Sequence, residues 1–188
     1  QKFLVMKKLL LILAVVFSAA SANAQFKDSG FKTIGELGLG FNWCKFGTEI
    51  GSASAFGMIT PTIQASFGSM LCSQVYLGGG IGYAAYAPVS TFKEAGFSKT
   101  VHGLKLFAHA RFYTATEGNG VIIDTKLGYQ KAFGGYDINM FDFFVGPGYL
   151  FSDRYAITVG YAGSVSGKDS YGTTMLWHGP AVKFSIEF

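Results

Sequence analysis

Residues 103–112 read GLKLFAHARF and residues 121–130 read VIIDTKLGYQ, and these two segments decide the fold. In the first segment Leu104, Leu106 and Phe112 alternate with small or polar residues, and in the second Val121 and Ile123 begin a similar alternation. A period of two places successive side chains on opposite faces of a β-strand. Because only a short link separates the segments, they are predicted to form an antiparallel hairpin.

The same alternation recurs along the rest of the chain. It separates eight candidate strands of about ten residues each, a number that matches the smallest barrels of bacterial outer membranes. The candidate strands are 36–43, 59–68, 75–83, 103–112, 121–130, 141–151, 156–162 and 176–188. The pattern therefore predicts an all-β fold, an eight-stranded antiparallel up-and-down barrel.

Two kinds of barrel share this pattern, a transmembrane barrel with its apolar face outward and a soluble lipocalin-like barrel with that face inward. The connections favour the transmembrane barrel, because links of a few residues (69–73, 115–120, 152–154) alternate with longer ones (44–57, 87–99, 131–139, 165–173). Short periplasmic turns and long extracellular loops are typical of outer-membrane barrels. Aromatic residues also gather near the predicted strand ends, where they would form two girdles at the membrane interfaces. Those predicted toward the periplasm are Phe67, Phe112, Tyr149, Phe151, Phe184 and Phe188, and those toward the outside are Trp43, Tyr83, Tyr129, Phe141 and Tyr161.

The N-terminal segment is predicted to be a secretory signal peptide. Lys7 and Lys8 precede a short apolar run, and small residues lead to an A-x-A site formed by Ala22 and Ala24. We expect residues 1–24 to be removed and residues 25–188 to form one barrel domain. That domain has twelve basic and eleven acidic residues, so the surplus of basic residues needed for a nucleic-acid interface is absent from it.

The chain also resembles the outer-membrane β-barrel domain family of Gram-negative bacteria, which includes OmpX-, OmpA- and OmpW-like small barrels. The resemblance rests on the signal peptide and on three segments, LFAHARFY at 106–113, VIIDTKLGY at 121–129 and KFSIEF at 183–188. It implies a cell-surface protein whose partners are the lipid of the outer membrane and the barrel-insertion machinery. Phe184, Ile186 and Phe188 resemble the family's C-terminal insertion signal.

The inward faces of the predicted strands carry equal numbers of acidic and basic residues. With Arg111 opposite Asp124 in the central hairpin, and with barrel closure bringing Lys183 and Glu187 near Glu36, we expect a network of ion pairs that fills the lumen, since buried charges must be paired. Proton relay and ion selectivity are the alternative roles. The eight residues of this predicted lumen network are Glu36, Lys105, Arg111, Asp124, Lys126, Asp142, Lys183 and Glu187.

Three prolines and two cysteines test this topology. Pro61, Pro147 and Pro180 fall within predicted strands, where a missing N–H is usually accommodated by a bulge or a strand end, so we expect such irregularities there.

Cys44 is expected to begin the first outer loop and Cys72 to lie in the first periplasmic turn. A disulfide between them is therefore not expected, because it requires Cα atoms within about 7 Å.

The sequence contains no convincing catalytic or cofactor-binding motif. The three histidines are predicted on different strands, with His109 in the lumen and His102 and His178 on the outer face, so no metal site is expected. The expected function is that of a non-enzymatic barrel with a structural or surface-interaction role, in which the outer loops contact a surface ligand or protein. The alternatives are a narrow channel or carrier for small or hydrophobic molecules, and a lipid A-modifying enzyme with His178 beside Ser166 or Ser170.

Overall fold

The computed structural model describes residues 30–48, 51–89, 99–116, 118–134, 137–167 and 174–188, and the predicted signal peptide lies outside them. Within these ranges no helix is long and apolar enough to cross a bilayer. The described residues form eight strands. They are β1 (Gly30–Thr48), β2 (Gly51–Cys72), β3 (Val75–Pro88), β4 (Val101–Tyr113), β5 (Gly120–Phe133), β6 (Ile138–Phe151), β7 (Tyr155–Ser166) and β8 (Thr174–Glu187).

The strands form a closed barrel in which each strand pairs antiparallel with its neighbour in sequence and β8 pairs with β1. The predicted fold class is confirmed. The register of the central hairpin is also the predicted one, because Arg111 lies opposite Asp124 and the N–H of Thr114 donates to the carbonyl of Val121 at 2.9 Å. Closure removes the open edges that would otherwise leave backbone N–H and C=O groups unpaired.

The two faces of the barrel have the predicted chemistry. Large apolar side chains point outward and are exposed, for example Leu37 at 57%, Leu106 at 64% and Ile81 at 61%. Polar and charged side chains point into the lumen and are buried, including Arg111 and Asp124 at 0%. The barrel therefore has an apolar exterior and a polar interior, the reverse of a soluble barrel with an apolar core.

The strands are longer than the predicted ten residues and range from 12 to 22. The predicted loop at 44–57 is wrong, because β1 and β2 continue as a hairpin through this region, with Cys44 opposite Ala55, and leave only residues 49–50 between them. Small residues dominate 51–55 and hide the apolar alternation there, although the backbone can still pair. The predicted strict alternation of short and long links is therefore also wrong, because the link at 49–50, which was expected to be long, is shorter than the one at 114–119.

The prolines do not lie at bulges or strand ends, contrary to expectation. The register shifts occur beside Asn42 and between Met70 and Cys72 instead. Each of the three prolines, Pro61, Pro147 and Pro180, is paired with a residue of one neighbouring strand. In the pairing with the other neighbouring strand, the proline and the residue before it have no partner in the ladder. The missing proline N–H thus interrupts one ladder locally without changing the register.

The connections and the chain direction distinguish the two ends of the barrel. The turn end holds the links at 73–74, 114–119 and 152–154, together with the start of β1 and the end of β8. The loop end holds the links at 49–50, 89–100, 134–137 and 167–173. In the turn at 152–154, Ser152 and Asp153 adopt positive φ values of 55° and 58°.

Candidate functional site

All eight predicted network residues lie inside the barrel and are buried. Their positions follow from the two-residue period, since Lys105, Arg111, Asp124 and Lys126 occupy the same face of the central hairpin. None of the eight is more than 9% exposed. The candidate functional site is therefore the polar lumen.

Arg111 is the centre of this network. Its Nη2 lies 2.5 Å from Asp124 Oδ2 and 3.1 Å from Glu36 Oε1. Its Nη1 lies 2.6 Å from Glu187 Oε1 and donates to Ser185 Oγ at 3.1 Å. One guanidinium on β4 thus contacts carboxylates from three other strands, which only a planar cation with several donors can do.

His109 completes the same cluster. Its Nδ1 lies 2.7 Å from Ser66 Oγ and its Nε2 lies 2.9 Å from Asp124 Oδ1. Glu36, His109 and Asp124 together offer ligand atoms within 4.8 Å of one another, a spacing that suits a metal ion. Both carboxylates already contact the guanidinium of Arg111, so a metal cation bound there would be repelled at close range. The geometry favours an ion-pair network at this point.

Lys32 is a network member that the sequence analysis missed. It is buried, forms an ion pair with Glu187 and donates to Tyr113 Oη at 3.3 Å, while that hydroxyl donates to Glu187 Oε2 at 3.0 Å. The two-residue period could have identified it, because Lys32 lies four residues before Glu36 and therefore on the same face of the strand. With Lys32 included, the described lumen contains five basic and four acidic side chains, so the expected zero charge balance is wrong.

A second group of polar residues lies nearer the loop end. Lys105 Nζ donates to Asp142 Oδ1 at 2.8 Å, and Ser164 Oγ donates to the same oxygen at 2.7 Å. The hydroxyl of Tyr86 donates to Gln130 Oε1 at 2.6 Å. These bonds connect β3, β4, β5, β6 and β7 across the lumen.

The remaining two lysines differ in their partners. Lys126 forms an ion pair with Glu36 and donates to Gln64 Oε1 at 3.3 Å. Lys183 was expected near Glu36, and it lies on β8 two residues before Ser185, the cross-strand partner of Glu36. Its Nζ lies 3.1 Å from the centroid of the Phe144 ring, whereas the two oxygens of Glu36 contact Lys126 and Arg111.

A small cavity lies between the two polar groups. It is lined by Lys105, Lys126 and Lys183 and by the polar side chains of Thr62 and Gln64, among others. The centre of a water molecule can occupy about 30 Å³ of it, which corresponds to about two or three water molecules. The lumen is therefore nearly filled by side chains in this region.

Apolar clusters lie on both sides of the polar region. The loop-end cluster contains Cys44, Met58, Ala84, Tyr86, Val101, Ala132, Met140 and Trp177. The turn-end cluster contains Ile34, Met70, Tyr76, Tyr113, Ile122, Leu150 and Ala156. Inward glycines make room for the large rings, since a Cβ on Gly80 would lie 2.5 Å from the Phe107 ring. The polar network is thus enclosed between two apolar layers.

Both cysteines are free, as predicted. Cys72 is exposed at the end of β2, but Cys44 does not begin a loop: it is 1% exposed and belongs to the loop-end cluster.

The alternative of a lipid A-modifying enzyme loses the candidate pair of His178 and Ser166. Ser166 points into the lumen and accepts the N–H of Met175 at 2.8 Å, away from the partly exposed His178. Ser170 lies outside the described residues.

Most of the predicted girdle residues are exposed on the outer face, and only Phe151 and Phe188 are half-buried. Near the loop end, the hydroxyls of Tyr83 and Tyr161 each bond the Nδ1 of a partly exposed histidine, His102 and His178 respectively. In the C-terminal strand, Phe184 is exposed and stacks on Tyr155 with ring centroids 6.0 Å apart, and Ile186 follows it on the same face. The outer face thus has an aromatic group near each end.

These features define the class of fold as a closed eight-stranded antiparallel barrel with an apolar exterior and a charged, buried interior. The solved structures that are similar to the chain include the following three. Neisserial surface protein A (NspA) has a TM-score of 0.48 and 15% identity, covering 84% of this chain and 98% of its own. The N-terminal β-barrel domain of Pseudomonas aeruginosa OprF has a TM-score of 0.43 and 16% identity, covering 83% and 97%. The outer membrane protein OprG from Pseudomonas aeruginosa has a TM-score of 0.42 and 8% identity, covering 86% and 96%.

No protein-family model and no curated protein sequence matches the chain.

Proposed function

We propose that this protein is a non-enzymatic outer-membrane β-barrel with a closed lumen and a structural or surface-interaction role. The observation that carries the proposal is the apolar exterior, which continues around all eight strands. Exposed apolar patches of more than a few hundred Å² are rare on soluble monomers. In a bilayer the same surface is favourable, and a closed barrel pairs its backbone groups between neighbouring strands and has no open edge.

The proposed orientation places the turn end in the periplasm and the loop end at the cell surface. Outer-membrane barrels combine short periplasmic turns with longer extracellular loops, and the links at 89–100 and 167–173 are the longest here. Phe184, Ile186 and Phe188 would then present the insertion signal to the barrel-insertion machinery from the periplasm. Contact with a surface ligand or protein would involve the loop end, since binding residues often lie on loops held by a rigid scaffold.

Membrane location can be tested by fractionation and by heat modifiability. We expect the expressed protein to sediment with outer membranes and to migrate differently in detergent gels before and after boiling. Equal migration together with recovery in the soluble fraction would contradict a membrane barrel.

Orientation can be tested with matched epitope insertions. A tag inserted within 168–173 is expected to bind antibody on intact cells, whereas the same tag within 114–119 should bind only after the outer membrane is opened. The reverse result would contradict the proposed orientation while leaving the barrel itself intact.

The closed lumen and the absence of enzymatic activity need separate measurements. Refolded protein in planar bilayers is expected to show no stable single-channel current, because paired side chains fill the lumen. The lipid A of cells with and without the protein is expected to have the same mass spectrum. A mass change that depends on expression would show that the protein modifies lipid A.

A narrow channel is the second candidate function, and the cavity between Lys105, Lys126 and Lys183 favours it. If this cavity were part of a continuous path, stable currents would appear and would change in Lys105→Ala or Lys183→Ala. Such currents would replace the closed-lumen proposal with the channel.

A further inference from the structure

One buried lysine of the described lumen has no carboxylate partner. The four carboxylates are all in ion pairs, Glu36 with Arg111 and Lys126, Asp124 with Arg111, and Asp142 with Lys105. Glu187 pairs with Arg111 and Lys32. Among the described residues, Lys183 has no carboxylate within ion-pair distance, although it is only 5% exposed.

The cation–π contact of Lys183 does not supply a counter-charge. The ring of Phe144 lies 3.1 Å from Nζ on one side and attracts the ammonium group through its quadrupole, but it carries no net charge. A buried ion without a counter-charge is strongly disfavoured. A counter-charge close to Lys183 would therefore stabilise the folded barrel.

The cavity next to Lys183 has the donors that an anion requires. Lys126 and Lys183 both line it, as does Thr62, whose side chain carries a hydroxyl. The carbonyl oxygen of Gln64 faces Lys126 Nζ at 3.3 Å, so the amide group of the same side chain remains as a further donor. The one acidic residue in the lining, Asp142, is already bonded through Oδ1 to Lys105 and Ser164.

We propose that this cavity binds one small monovalent anion of the chloride class, held by Lys183 and Lys126. A single negative charge would supply the counter-charge that Lys183 lacks. The size of the cavity, about two or three water molecules, accommodates a halide and excludes larger organic anions. The proposal concerns the interior of the barrel and does not depend on where the protein is located in the cell.

Bromide is the direct probe, because it replaces chloride and scatters anomalously. In crystals of the full barrel soaked in sodium bromide, we expect an anomalous peak in the cavity between Lys126 and Lys183. The same soak of crystals of the Lys183→Met variant should show no peak there. An empty cavity in the unaltered protein, or a peak of equal height in the variant, would overturn the proposal.

Stability in solution gives an independent test that does not need crystals. The thermal midpoint in potassium chloride is expected to exceed that in potassium gluconate of equal ionic strength by about 5 °C when the anion is near-saturating. This difference should disappear in Lys183→Met and persist in the control Lys131→Met, whose lysine is on the exterior and paired with Asp137. Equal midpoints in the two salts for the unaltered protein would contradict the proposal. If Lys183→Met fails to fold, the bromide soak of the unaltered protein decides.

Discussion

The guanidinium of Arg111 lies 2.5 Å from the carboxylate of Asp124, and both side chains are completely buried. The two residues are direct cross-strand partners on β4 and β5, so the sequence brings them together locally. The same guanidinium also contacts Glu36 on β1 and Glu187 on β8, which come from the other side of the barrel. Arg111 therefore connects strands that meet only when the barrel closes.

Replacing Arg111 by methionine is expected to destabilise the barrel by about 3–5 kcal/mol, since the change leaves buried carboxylates without their main cationic partner. The free energy of unfolding can be measured in urea with the unfolded fraction followed by gel mobility. The matched control is Lys131→Met, which breaks the exposed ion pair with Asp137 and should change stability little. Equal effects of the two substitutions would mean that the lumen network does not contribute to stability.

Gly146 and Gly160 face each other across β6 and β7, and a Cβ on Gly146 would lie 2.5 Å from the Cα of Gly160. Gly146→Ala is therefore expected to cost about 1–3 kcal/mol, because the strands must separate to admit the methyl group. Gly47→Ala is the control, since a Cβ there meets no atom within 4 Å. A Gly146→Ala variant as stable as Gly47→Ala would show that the two strands are not this close.

The two cysteines should react with maleimide at very different rates in the folded protein. Cys72 is exposed and is expected to be labelled within minutes, whereas Cys44 is 1% exposed and should react only after unfolding. The variants Cys44→Ser and Cys72→Ser assign the two rates by mass spectrometry. Rapid labelling of Cys44 in the folded state would place it in a loop, as the sequence alone suggested.

The two tryptophans lie on opposite faces of the barrel sheet, one outside and one in the lumen. Trp43 is 40% exposed on the exterior and Trp177 is 2% exposed in the lumen. In vesicles that contain brominated lipid, the fluorescence of the Trp177→Phe variant, which retains Trp43, is expected to be quenched strongly. The Trp43→Phe variant, which retains Trp177, should be quenched much less. Similar quenching of both would contradict the assigned faces.

Much of this structure could be predicted from the period of two. The alternation identified all eight strands, placed Leu106 outside and Arg111 inside, and set the pairing of Arg111 with Asp124. It failed at 44–57, where small residues are compatible with either a loop or a strand, so Cys44 was assigned to the wrong environment. The expectation of bulges or strand ends at the prolines, which came from their missing N–H, was also wrong, because a proline can leave one ladder hydrogen bond unmade without a bulge.

The sequence by itself determined the class of fold, the faces of the strands and eight of the nine charged side chains found in the described lumen, because successive residues of a strand point to opposite faces. Only the tertiary structure decided which charges pair. Closure brings Lys32 to Glu187 and lets Lys126 and Arg111 occupy Glu36, which leaves Lys183 against Phe144. The physical reason is that ion pairs depend on distances across the lumen, and those distances exist only once β8 has paired with β1.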